Sequence, residues 1–210
     1  MALTKTVAMI SENRSLVKGY VLVYHPFLDV RGGAEHTAVR IANSLAELKY
    51  GVLFVTHPLN VDIEHLRKLN GEIVLRLTNL IDAKRFLRKR WKLFYHTIYP
   101  IALMVAILYN QVRHKFKAVV ASIQNPWDFI VFLLLPSRVR IFYIQAPFWE
   151  DIKPFHMFLI RALYFLMPAL LKRFRTYVMF NSHAMMRDYM KSAISFLSGL
   201  IVKMVLHPPV

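Results

Sequence analysis

Residues 20–25 read Tyr-Val-Leu-Val-Tyr-His, a run that is apolar on both of its alternating faces. A strand with one face in water alternates apolar and polar side chains, so a continuous apolar run requires cover on both sides. Comparable runs recur at 52–56, 72–77, 118–122, 139–144, 177–180 and 201–206. Helical patterns separate them. After the first run, Ala34, Ala38, Ile41, Ala42, Leu45 and Leu48 recur at steps of three and four, giving an amphipathic helix that Gly51 is expected to stop. Further helices are expected over 62–69, over 82–114 with an interruption near Pro100, and over 127–135, 155–174 (with a kink at Pro168) and 183–191. Pro26 and Pro58 are expected to close the first two strands, because proline donates nothing to a ladder. Buried strands alternating with helices predict one α/β domain, a doubly wound, mostly parallel, Rossmann-like sheet with helices on both faces.

Composition narrows the partners. The chain has 210 residues and no cysteine, which excludes disulfides and thiolate chemistry for it. It carries a formal charge of +16 beside a mean hydropathy of +0.37. A basic chain seeks polyanions, and the apolar excess favours membrane headgroups over nucleic acid, for which no motif is present. Residues 1–18 hold Lys5, Glu12, Arg14 and Lys18 around short apolar patches and form no secretory leader, so a cytoplasmic location is expected. The apolar stretches 98–109 and 155–171 fall short of the ~20 residues of a bilayer span, and they contain Pro100 and Pro168. They read as core or interfacial helices.

The loop between the first strand and first helix holds Arg31, Gly32 and Gly33. In open α/β sheets ligands bind beyond the carboxyl ends of the strands, and a helix N-terminus there offers free N–H groups to an anion. Glycine lets the main chain approach a phosphate, although a tight turn alone would also explain the pair. No His, Asp or Glu set has convincing metal-ligand spacing, so no metal is expected.

The run Arg31-Gly32-Gly33-Ala34-Glu35-His36, with Ala42-Asn43-Ser44-Leu45-Ala46 and Gly51-Val52-Leu53-Phe54-Val55-Thr56 behind it, closely resembles the N-terminal signature of glycosyltransferase family 4. Phe180-Asn181-Ser182 looks like that family's turn after the penultimate strand of its N-domain, and His207-Pro208-Pro209-Val210 like its crossing into the C-domain. The resemblance implies half of a GT-B fold, with the donor-binding domain and its paired glutamates not among these residues. It also implies a sugar-nucleotide co-substrate and no other cofactor, retention of anomeric configuration, and Arg31, Gly32 and Gly33 against the donor diphosphate and sugar. His25, Asn125, Gln145 and Ser182 are expected at the acceptor cleft. Relatives often carry histidine near Gln145, and glutamine is no general base at neutral pH. No catalytic base is therefore singled out. His36 reads as a structural histidine.

Lys84, Arg85, Arg88, Lys89, Arg90, Trp91 and Lys92 form one cluster beside an apolar stretch, and Lys172, Arg173 and Arg175 form a second near Phe158 and Phe165. Each basic residue near anionic lipid contributes on the order of 1 kcal/mol, so these segments predict peripheral docking on a cytoplasmic membrane face. The reading is therefore a glycosyltransferase half acting on a lipid-linked or surface glycan acceptor. Its alternative is a non-catalytic membrane-docking adaptor that recruits a separate donor-binding subunit.

Overall fold

The computed structural model describes residues 18–27, 33–57, 74–76, 115–123, 126–135, 137–166, 175–192, 195 and 201–205. Its elements run β1 (Tyr20–Phe27), α1 (Gly33–Glu47), β2 (Gly51–His57), β3 (Val74–Arg76), β4 (Ala118–Ile123), α2 (Pro126–Leu134), β5 (Val139–Ile144), a 3₁₀ turn (Phe148–Asp151), α3 (Pro154–Leu166), β6 (Arg175–Phe180), α4 (His183–Lys191) and β7 (Ile201–Val205). The seven strands form one sheet in the order β3-β2-β1-β4-β5-β6-β7, and every pairing is parallel. The chain winds outward from β1 to β3, returns to β4 and winds the other way, so the topological switch lies between β1 and β4. The expected helices over 62–69 and 82–114 lie outside the described residues.

Strand alternation divides the core in two. Val21, Val23, Val52, Phe54 and Val120 face α1 and pack on its Ala38 and Ala42. Leu22, Tyr24, Leu53, Val55, Val119, Ala121, Phe142, Val178 and Phe180 face the other way, against Phe129 and Phe132 of α2, Ile160 of α3 and Tyr189 of α4. Apolar burial on both faces is what the continuous runs demanded. Pro126 opens α2, where a missing N–H costs nothing. The Tyr24 hydroxyl donates to Asp128 Oδ1 at 2.9 Å, tying β1 to the first turn of that helix.

Three local expectations change. Pro26 does not end β1, which continues to Phe27. Tyr24 pairs with Val55 and Phe27 with His57, so β1 carries one extra residue there, and this bulge accommodates a residue without an N–H. Gly51 does not stop α1 either. Lys49 takes a left-handed conformation (φ 65), Tyr50 N–H donates to Leu45 O at 3.0 Å and Lys49 N–H to Ala46 O at 2.8 Å, the paired closure of a Schellman cap. Gly51 instead opens β2 against an aromatic ring, because a Cβ there would lie 2.6 Å from Tyr20 Cδ1 and Cε1. The 3₁₀ turn was not foreseen, and its Phe148 stacks on Phe129 while Trp149 meets Tyr189 edge-on. Among the described residues, no helix is long and apolar enough to cross a membrane.

Lys49→Gly should raise stability by about 1 kcal/mol, since it removes the strain of a left-handed side-chain-bearing residue. Gly51→Ala should cost about 1–3 kcal/mol by overpacking on Tyr20. Urea unfolding of both variants measures this.

Candidate functional site

Parallel strands place all their carboxyl ends on one edge of the sheet, and α1 starts at that edge beside the β1/β4 switch. Gly33 is the first residue of α1 and is exposed. Among the described residues, nothing lies within 4 Å of the position a Cβ would occupy on Gly33. The first N–H groups of a helix have no partner within it, so this end of α1 presents donors and partial positive charge.

Beneath that first turn sits a polar group built from three strands. His25 is fully buried on β1, and its Nε2 lies 3.7 Å from Glu35 Oε1 on α1, an ion pair whenever the imidazole is protonated. Alternation puts Ser122 of β4 on the same face as Val120, and Tyr143 of β5 on the same face as Ile141, so both point toward the α1 side. Tyr143 is within hydrogen-bond reach of Thr37, whose own Oγ1 donates to Gly33 O at 2.7 Å. Burial pushes the Tyr143 hydroxyl above its ordinary 10, and the hydrogen bond with Thr37 draws it part of the way back. Ser122 is 3% exposed, and its Oγ has no hydrogen-bond partner among the described residues.

Further along the same edge, Asn181 Nδ2 donates to Gln145 O at 3.2 Å and so joins the ends of β5 and β6. The Gln145 Nε2 and Asn181 Oδ1 atoms are buried and lack partners among the described residues. Ser182 caps α4, with its Oγ accepting from Met185 N–H at 3.2 Å. His36 is exposed on α1.

His25, Gly33, Gln145 and Ser182 therefore all lie at the carboxyl edge. Arg31, Gly32 and Asn125 lie outside the described residues, as do the basic cluster Lys84, Arg85, Arg88, Lys89, Arg90, Trp91 and Lys92, and the pair Lys172 and Arg173. Arg175 is exposed as the first residue of β6, which puts it at the opposite, amino edge. Thr37, Ser122 and Tyr143 escaped the sequence reading. Two-residue alternation assigns Ser122 and Tyr143 to one face of their strands, but only the strand order brings that face under α1. Among the described residues, no group of three His, Asp or Glu is placed to hold a metal ion.

The chain is an α/β protein with a Rossmann-like sheet. No protein-family model matches it, and no curated protein sequence does. Among solved structures, a protein from Burkholderia xenovorans assigned to the short-chain dehydrogenase/reductases aligns with a TM-score of 0.40 at 13% identity, over 84% of this chain and 79% of that one. The Rossmann-like description stands on the strand order itself.

Ser122→Ala should leave folding unchanged or more stable by up to about 1 kcal/mol, because it removes a buried hydroxyl with no bond to lose. Urea unfolding checks it. The burial of neutral Tyr143 contributes stability that is present below pH 10 and lost as the pH rises beyond that value, because folding holds its pKa above the unfolded one. Tyr143→Phe should flatten this alkaline decline, which unfolding midpoints measured across that range will show.

Proposed function

We propose that the chain is the acceptor-side half of a glycosyltransferase that moves a sugar from a nucleotide-sugar donor to a lipid-linked or surface glycan acceptor at a cytoplasmic membrane face. The observation that carries this reading is the open start of α1 at the β1/β4 switch, where Gly33 leaves room above the first backbone N–H groups. A diphosphate resting there would accept from main-chain amides and gain from the helix dipole. The resemblance of the Arg31-Gly32-Gly33-Ala34-Glu35-His36 run to glycosyltransferase family 4 supports the same assignment.

In this reading the remaining polar groups serve orientation. Glu35 fixes the imidazole of His25 beneath the loop, since a buried imidazole with a carboxylate 3.7 Å away has a preferred orientation. Ser122 Oγ and Gln145 Nε2 supply hydrogen-bonding capacity for acceptor hydroxyls at the carboxyl edge. The donor nucleotide would be held by a second domain or subunit, and retention of configuration follows the family resemblance alone.

Gly33→Val tests the loop, because the new side chain enters space that no described residue fills and leaves the fold intact. Assayed together with its donor-binding half, the variant is expected to lose ~100-fold or more of sugar transfer while its unfolding midpoint stays unchanged. Undiminished transfer would remove the loop from the site.

A further inference from the structure

Helix α3 is apolar on two opposite sides, and among the described residues only one of them packs against the core. Ile160 is fully buried, and Leu159 and Leu163 pack against the core beside it. Phe155, Phe158 and Phe165 are 66%, 71% and 83% exposed. At 3.6 residues per turn these three rings fall within a sector roughly 80° wide, roughly opposite Ile160. Arg161 flanks that sector and is exposed. A helix that buries one apolar stripe ordinarily turns a polar one outward, so a second aromatic stripe in solvent requires an explanation outside the core.

The edge of the sheet toward which α3 runs is mostly basic. Because α3 connects the parallel strands β5 and β6, it runs back toward the amino edge of the sheet. That edge carries exposed Lys49, Lys115, Lys117, Arg138 and Arg175 at or just before the starts of four strands, with exposed Glu47 at the end of α1 beside them. The exposed parts of the three rings amount to roughly 400 Å². That is about half of the ~800 Å² per partner of a stable protein interface. It suits a fluid surface that needs no shape complementarity and rewards basic side chains around an aromatic stripe.

We propose that Phe155, Phe158 and Phe165 of α3 form the inserting face by which this protein lies on an anionic bilayer, with Arg161, Arg138 and Arg175 on the headgroups. An interfacial helix lies in the membrane plane, so the strands beneath α3 run roughly along the surface, and the carboxyl edge bearing Gly33 opens along the bilayer. The inference rests on the proposed work at a membrane surface and gives it a location different from the basic cluster at 84–92.

The test is co-sedimentation of the full chain with vesicles of phosphatidylcholine alone and of phosphatidylcholine with an equal part of phosphatidylglycerol. The wild type is expected to bind the mixed vesicles more strongly. The triple variant Phe155→Ser, Phe158→Ser, Phe165→Ser should lose ~10-fold or more of that partitioning with an unchanged circular dichroism spectrum. Leu48→Ser, which removes another exposed apolar residue at the end of α1, should bind as the wild type does. Should the triple variant misfold, Phe165→Ser alone carries the same expectation with a smaller loss. Wild-type binding by the triple variant, equal binding to both vesicles, or a wild-type dimer that the triple variant abolishes without changing vesicle binding would each overturn the proposal. None of these results bears on sugar transfer at Gly33, which its own variant reports.

Discussion

Everything in this molecule depends on the parallel pairing of strands that are buried on both faces. Parallel strands need a long crossover between neighbours, and both faces must then be covered by helices or excluded from water. The strand ends of the sheet therefore form two edges, carboxyl and amino, and they differ chemically. The carboxyl edge gathers the starts of helices, with Gly33, Gln145, Asn181 and Ser182 close to them. The amino edge gathers strand starts and basic residues. The separation of a candidate ligand edge from a basic edge is a consequence of strand direction.

Polar residues inside such a sheet need local partners, and those visible here have different kinds. Arg140 of β5 is fully buried, and its Nε donates at 3.0 Å to Leu135 O, with Nη2 donating to the same carbonyl. That oxygen stands at the C-terminal end of α2, where the helix dipole favours a cation. Burial still lowers the Arg140 pKa from 12.5 to about 10, which leaves it charged at neutral pH. On the same face of the sheet, Tyr24 and Asp128 satisfy each other. Ser122 has no such arrangement among the described residues and stands in the group beneath α1. Ser122 at the switch point, with Gln145 and Asn181 further along the same edge, leaves spare hydrogen-bonding capacity where ligands bind in open sheets.

The strands were the most legible elements, because a buried parallel strand writes its burial as an unbroken apolar run; 139–144 matched β5 at both ends, as 183–191 matched α4. Local punctuation was less legible. Pro26 and Gly51 each had an obvious reading as a breaker, yet a bulge absorbed the proline, and Lys49 closed α1 with two main-chain hydrogen bonds that depend on backbone conformation more than on side-chain type. The 3₁₀ turn at Phe148 is held by rings from Phe129 and Tyr189, partners distant in sequence. Of the candidate site, the glycine loop and His25 could be named from residue type and position, whereas Thr37 and Tyr143 meet only because β5 lies two strands from β1.

By itself the sequence determined that the strands are buried and parallel, that helices alternate with them, and that a glycine loop begins the first helix, since these follow from nearest-neighbour chemistry and periodicity along one chain. Tertiary structure decided which strand ends stand beside that loop. It also decided that His25 faces Glu35, and that one aromatic stripe of α3 stays in water. Those outcomes depend on strand order and on which side of a helix meets the sheet, and no local pattern encodes either one, because an apolar residue looks the same in sequence whether it faces the core or the solvent.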